Sequence, residues 1–442
     1  MPFQSRPRRL AQAALTVALV AFLAACGQNH PDSVFHRRTD FNRDVDFLFK
    51  MLIYAGSAVF IFVEGVLVYT LFKFRSRPNQ PKPEHVHGNT TLEIAWTVIP
   101  LIILILIGIP TVKTIFKTEA AARSDALQVE VVGHQWWWEF RYPQYTTVGA
   151  NGKIDTVVTA NELYLPIGKT VNFTLHSRDV IHSFWIPALG GKRDVVSNHT
   201  NYLWMTPDST GTDEFNGACA EYCGTSHANM RFKAFTVPQA DFDSWIAHQE
   251  QPGVGSPPPL APPAASPAPG GASAAAPGLV AATPVMPPTP AVNAQVMQAG
   301  FIEYPRDKIP AYAMPQTPLP TGLKYDDNLL AAGNVENGRK LVTTGMCIAC
   351  HTVRGEPMMQ AVLGPNLTHL ALRTTIAGGI YPNDPRHLAR WVKNANEMKA
   401  GVIMPTFGLG EYDPVTLKGL VKVGGFTDAQ IADIVAYLTS LK

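Results

Sequence analysis

The sequence predicts a multidomain membrane protein: a two-helix transmembrane hairpin, then an all-β sandwich, then an all-α terminal domain. Three observations lead to this. Two apolar stretches, from Met51 to Phe72 and from Ile94 to Val112, are each long enough to cross a bilayer. Beyond Leu127 the pattern changes to short β-rich runs separated by turn residues, the mark of a sandwich or barrel. A Pro- and Ala-rich stretch then leads into a tail with helical periodicity and a helix-capping pattern. The 442 residues suffice for two or three domains, and a formal charge of +2 gives no reason to expect a nucleic-acid partner.

Residues 1–25 read as an export signal, with Arg6, Arg8 and Arg9 ahead of the apolar run from Leu10 to Ala25. The run is short for a span. Leu23-Ala24-Ala25-Cys26 resembles a bacterial lipobox, which implies a lipid anchor on Cys26; plain cleavage and an uncleaved anchor are the alternatives. Residues 26–45 are then an outer segment, 46–74 the first span, 75–92 a cytoplasmic loop and 93–117 the second span. Lys73, Arg75, Arg77 and Lys82 put that loop inside by the positive-inside bias. The later domains therefore stand outside a bacterial plasma (inner) membrane. Glu64 interrupts the first span and receives no role. Glu93 lies at the start of the second, where a helix N-terminus favours a carboxylate anyway, and Pro100 is expected to kink this helix.

Residues 127–250 form the β-domain, with strands expected at 127–132, 153–159, 162–166, 170–176, 201–206 and 231–237. Trp136, Trp137 and Trp138 cannot all face one core from a strand, so at least one points toward the surface or a neighbour.

Cys219-Ala-Glu-Tyr-Cys223-Gly-Thr-Ser-His227-Ala-Asn-Met230 offers two thiols, an imidazole and a thioether within one loop. Such soft donors suit copper, with the thioether as a weak axial ligand. One Cys completes a mononuclear site; two can bridge a pair of ions, each finished by a His. His182 in Asp-Val-Ile-His-Ser-Phe is the candidate for the second imidazole. A Cys219–Cys223 disulfide and a zinc site are the competing readings. The added His227 and Met230 weigh against the first, and zinc has no use for a Met ligand.

The loop resembles the binuclear CuA motif of subunit II of heme–copper cytochrome c oxidases. That resemblance implies a cupredoxin-like sandwich with side-chain ligands His182, Cys219, Cys223, His227 and Met230. It implies that Glu221 binds one copper through its backbone carbonyl, freeing its carboxylate for a magnesium ion shared with subunit I. The segment Thr-Leu-Glu93-Ile-Ala-Trp-Thr-Val-Ile-Pro is similar to the family's second-helix start, where the Glu sits near a proton-uptake path. Gly133-His134-Gln135-Trp136 matches a family segment whose Trp admits electrons above the copper site. Trp137 and Trp138 read equally well as aromatic packing at the membrane interface.

Residues 251–325 are a linker. Positions 251–302 contain no Asp, Glu, Lys or Arg, and 13 of the chain's 37 Pro lie between Pro252 and Pro290, so the segment cannot bury a core. As a tether it makes the encounter of the domains it joins intramolecular, at an effective concentration on the order of millimolar.

Residues 326–442 carry Cys347-Ile348-Ala349-Cys350-His351, the c-type heme attachment motif. Both thiols can reach the heme vinyl groups while His351 becomes the proximal ligand. Met404 is the preferred distal ligand; Met398, His369 and His387 compete. Gly-Val-Ile-Met404-Pro and Gly364-Pro365-Asn366-Leu367 resemble class I cytochromes c, in which the Pro carbonyl accepts from the proximal His. Thr427 and Gln430 form a capping-box pattern ahead of Ile431, Ile434, Val435 and Leu438, and Gly338 stands where the family crosses its terminal helices.

The whole chain resembles subunit II of a cytochrome-c-fused oxidase, the caa type. This implies an electron route from soluble cytochrome c or a similar donor, through covalent heme c and binuclear copper, to heme in subunit I. There oxygen is reduced to water with proton pumping, so the partners are subunit I, the other oxidase subunits and the bilayer. A quinol-oxidase subunit would lack the copper Cys residues. Nitrous oxide reductase would lack the hairpin and the heme tail, and a copper chaperone would need no covalent heme.

Overall fold

A computed structural model describes residues 37–75, 87–119, 124–148, 154–208, 213–253 and 314–442, with a few positions before residue 37. Cys26, most of the expected signal run, Arg77, Lys82 and most of the linker lie outside the described residues.

Helix α1 spans Asp40–Lys73 and α2 spans Thr90–Glu119. At about 1.5 Å per residue, α1 is roughly 50 Å long, well beyond a hydrocarbon core of about 30 Å. The surplus is at its N-terminus, which starts six residues before the expected span and is bonded into the β-domain. Thr39 Oγ1 accepts from the Asn42 amide at 3.0 Å and donates to the Leu189 carbonyl. Asn42 Nδ2 donates to Ala188 O at 2.9 Å, and Asp40 Oδ1 accepts from the Thr206 amide at 2.9 Å. Phe41 is buried beside Gly190 and Gly191. Lys117 pairs with Asp44 at 2.5 Å, joining the outer ends of the hairpin. The apolar windows of both helices bury nothing within the chain, which leaves them for lipid or neighbouring membrane helices. Helix α2 runs unbroken through Pro100 and Pro110.

The β-domain consists of two five-stranded sheets. The strands are β1 (Leu127–His134), β2 (Trp137–Val148), β3 (Ile154–Ala160), β4 (Glu162–Pro166), β5 (Val171–Ser177), β6 (His182–Trp185), β7 (Arg193–Val195), β8 (Asn201–Met205), β9 (Asp213–Cys219) and β10 (Arg231–Val237). One sheet runs β3-β2-β1-β5-β8 and the other β4-β10-β9-β6-β7. Aromatic rings fill the space between them: Phe184 stacks on Phe232 at 5.2 Å, and Trp138 meets Phe184 edge-on at 5.7 Å. Of the three Trp, Trp138 is fully buried here, Trp137 lies half-buried against His134 at 4.2 Å, and Trp136 occupies the turn before β2. Alternation along β2 forces the division between Trp137 and Trp138.

The short-strand pattern did not anticipate β2, β6, β7 and β9. Strands β6 and β7 are only four and three residues long, too short for periodicity to register. Helix α3 (Gln239–Gln249), also unanticipated, closes the sandwich with Trp245 stacked on Tyr164 at 4.3 Å.

The terminal domain contains α4 (Val335–Thr344), α5 (Pro385–Lys393), α6 (Ala395–Met398) and α7 (Asp428–Leu438). Asn334 caps α4 by accepting from the Asn337 amide at 2.9 Å, and Thr427 with Gln430 forms the expected capping box on α7. Ile431, Ile434, Val435 and Leu438 are buried. Helices α4 and α7 cross at Gly338, where an added Cβ would collide with the Asp433 carbonyl oxygen. This domain rests on the β-domain: Glu162 Oε1 accepts from the amide and hydroxyl of Thr374 at 2.6 and 2.7 Å.

Candidate metal centre and heme cleft

Cys219 ends β9 and His182 opens β6, and the two strands pair antiparallel with Phe184 opposite Cys219. This pairing brings His182 to the Cys loop across 37 positions of sequence. The chain then turns through a short helical turn, His227–Asn229, so that Met230 returns beneath the two sulfurs as β10 begins.

The donors converge. Cys219 Sγ lies 3.7 Å from Cys223 Sγ, 3.8 Å from His182 Nδ1 and 3.2 Å from the Glu221 carbonyl oxygen. Cys223 Sγ lies 3.6 Å from His227 Nδ1 and 3.8 Å from Met230 Sδ. His182, Cys219, Cys223 and Met230 are buried, whereas the Glu221 side chain is exposed. Both cysteines are free thiols, so no disulfide joins them. Two sulfurs at this spacing, with one imidazole beside each and a buried thioether below, fit soft copper ions; a closed tetrahedral zinc site would leave the thioether unused.

The electrostatics set the two thiols apart. The contact with Cys223, with help from His182, holds the Cys219 thiol well below the ordinary thiol range, and the same contact pushes Cys223 up. Burial opposes charge on His182, but hydrogen bonds from its ring to Asp179 and Cys219 outweigh it and raise its pKa. Asp179 Oδ1 holds His182 Nε2 at 2.8 Å, which leaves Nδ1 toward the sulfurs. Asp179 was not singled out from sequence; a carboxylate three residues ahead of the candidate His was the available signal. Its other oxygen accepts from the Gln135 amide at 2.7 Å, tying the ligand to the Trp136 turn. Trp136 Nε1 and Gln135 Nε2 both donate to the Cys223 carbonyl, at 2.9 and 2.8 Å.

The second centre is an apolar cleft of about 230 Å³ in the terminal domain, lined by Cys347, Cys350, His351 and Met404 among others. His351 Nδ1 lies 2.8 Å from the Pro365 carbonyl, which fixes the ring and its tautomer. Burial lowers the His351 pKa and keeps the imidazole neutral, the form that ligates metal. Cys347 and Cys350 are free. Paired thiols, a fixed imidazole and an apolar wall fit a covalent heme. Of the four distal candidates, Met404 alone lines the cleft. Met398 is buried within α6, His369 lies 3.1 Å from the Gln251 carbonyl, and His387 is paired with Asp384 at 2.7 Å. Glu93 is exposed in the first turn of α2 and joins neither centre. Trp136 and Trp137 complete the cleft wall, so it opens directly on the copper domain.

Known proteins align with each part. Residues 38–114 match the transmembrane domain of cytochrome c oxidase subunit II, residues 127–237 match its periplasmic domain, and residues 335–442 match cytochrome c. Probable cytochrome c oxidase subunit 2 of Rickettsia bellii is 34% identical over 215 residues, covering 45% of this chain and 77% of the relative. The chain belongs to the subunit II family of cytochrome c oxidases. Cytochrome c oxidase subunit 2 of Alkalihalophilus pseudofirmus is 28% identical over 390 residues, 87% of this chain and 83% of the relative. A crystal structure of the periplasmic domain of subunit II from Bradyrhizobium japonicum covers 29% of this chain and 97% of its own, at 27% identity and a TM-score of 0.25. The chain is thus an oxidase subunit with an electron-transfer role, anchored by two spanning helices and carrying its β-domain outside the membrane. Its subunit II domain implies copper and its terminal domain implies heme c.

Proposed function

We propose that this subunit receives electrons from a soluble donor on covalent heme c, passes them to a binuclear copper centre, and delivers them to heme in subunit I. There oxygen is reduced to water with proton pumping. His182, Cys219, Cys223, His227, Met230 and the Glu221 carbonyl hold the copper pair; Cys347, Cys350, His351 and Met404 hold the heme. When bound, both groups supply one-electron carriers, and sharing one electron between two bridged ions keeps reorganisation small.

The chain's own residues position these carriers. Asp179 orients His182, the Pro365 carbonyl orients His351, and the apolar cleft excludes water. The exposed Glu221 carboxylate is available for a magnesium ion at the subunit I interface, and Glu93 for the start of a proton path. A plasma-membrane location with acylated Cys26 completes the reading.

One observation carries the proposal: Trp136 lines the heme cleft while its indole N–H bonds to the Cys223 carbonyl, so a single aromatic side chain touches both centres. Metal and heme analysis of the purified chain tests it. Two copper ions and one covalent heme per chain, with a near-infrared copper band beside reduced c-type heme bands, are expected. A single zinc, or a Cys219–Cys223 disulfide in the mature protein, would refute it.

A further inference from the structure

We propose that Gly378, Gly401 and Lys399 are positioning residues that lock the tethered cytochrome in one docked pose over Trp136, and that this pose closes the copper domain's electron-accepting face to soluble donors. The inference rests on Trp136 being the residue through which electrons reach copper.

A tether alone brings two domains near each other and leaves their contact unspecified. Here the contact is specific. Lys399 is buried, and its Nζ donates to the Trp136 carbonyl at 2.6 Å and to the Ala377 carbonyl at 2.9 Å. Ser226 Oγ, beside His227, donates to the Ala400 carbonyl at 2.5 Å. The Arg231 amide, next to Met230, donates to the Gly378 carbonyl at 2.9 Å. Three bonds therefore join two loops of the cytochrome domain to the Trp136 turn and to both ends of the segment from Ser226 to Arg231. These bonds satisfy the buried Lys399 amino group and the Trp136, Ala400 and Gly378 carbonyls, and a shifted pose that kept those groups from water without these partners would leave each unpaired.

The approach is closer than side chains permit. Gly378 has φ +76°, and a Cβ there would fall 2.6 Å from Lys399 Nζ and 3.1 Å from the Trp136 carbonyl oxygen. Gly401 has φ +85°, and its Cβ would fall 2.9 Å from Trp136 Cη2. Both positions combine a left-handed backbone with no room for a methyl group. The Gly401 loop lies over the outer edge of the indole while Gly224 faces its inner edge, and Trp136 is only 8% exposed. A soluble donor thus has no path to Trp136 and must reduce the heme from another side of the cytochrome domain.

Gly378→Val, Gly401→Val and Lys399→Met in the full chain, within the intact oxidase, test this. Lys399→Met imposes no backbone strain, so it reports even if a glycine variant fails to fold. Amide hydrogen exchange reads the pose without electron transfer: the Arg231 amide should be protected in the parent chain and exchange about tenfold faster or more in the variants. Rapid-mixing kinetics read the consequence. Heme-to-copper transfer should be independent of solvent viscosity in the parent chain, and slower and viscosity-dependent in the variants, with heme and copper spectra unchanged. Direct reduction of copper by soluble donor should appear only in the variants. Unchanged exchange and unchanged transfer in Lys399→Met, or viscosity-dependent transfer in the parent chain, would overturn the locked pose alone. Absence of any heme-to-copper transfer in the parent chain would instead overturn the proposed function.

Discussion

The indole N–H of Trp136 donates to the carbonyl of Cys223 at 2.9 Å, so the side chain facing the heme cleft is bonded to the backbone of a copper-loop cysteine. Trp136→Phe keeps an aromatic ring but removes that bond. Heme-to-copper transfer should slow by about tenfold, equivalent to roughly 1.4 kcal/mol of barrier. The optical bands of both centres should be unchanged. Flash or rapid-mixing spectroscopy checks this, and an unaltered rate would remove Trp136 from the route.

Asp179→Asn weakens the partner that orients His182 through Nε2 at 2.8 Å. Losing such support typically costs about 10–100-fold in metal affinity. Competition with a copper chelator should show a loss in that range with the fold intact by circular dichroism. Equal affinity would mean that strand pairing alone orients the imidazole.

Asp413 is buried in the turn that follows the Met404 loop. Its carboxylate accepts from the amides of Thr406, Val415, Thr416 and Leu417 at 3.2, 3.1, 3.0 and 2.9 Å. Burial opposes ionisation, but these bonds and the Thr416 hydroxyl outweigh it and hold the pKa below the ordinary carboxylate value. With a folded pKa under the unfolded value of about 3.9, the stabilisation is complete above that pH and is lost progressively as pH falls from there through the folded pKa. Denaturant melts followed by heme absorption should show this acid loss in the parent chain. Asp413→Asn should be less stable already at neutral pH and lack this part of the acid dependence; identical pH profiles would contradict the assignment.

Gly338 sits where α4 meets the Asp433 carbonyl of α7 with no space for a Cβ. Gly338→Ala should force the helices apart and destabilise the cytochrome domain by about 1–3 kcal/mol. The copper domain should melt as before. Calorimetry of the full chain resolves the two transitions.

Much of the candidate site was legible because its chemistry is local. Four soft donors fall between Cys219 and Met230, and the heme motif occupies five consecutive residues, so spacing along one loop already implies convergence. The capping box of α7 was readable for the same reason. Strand β6 was not readable, because it is four residues long and takes its register from β9, far away in sequence. The distal choice was legible as a preference for Met404, but its competitors Met398, His369 and His387 are set aside from the cleft only by their tertiary neighbours.

Residue types at fixed short spacing determined by themselves that this chain spans a membrane twice, offers a sulfur-rich copper loop and carries a covalent heme site. Tertiary structure alone decided that Asp179 orients His182, that α1 begins inside the β-domain, and that Lys399 lies on the Trp136 carbonyl. The difference is physical. Donor spacing within a loop is limited by a few backbone torsions, whereas a contact between residues 136 and 399 depends on how two separately folded domains satisfy each other's buried polar groups.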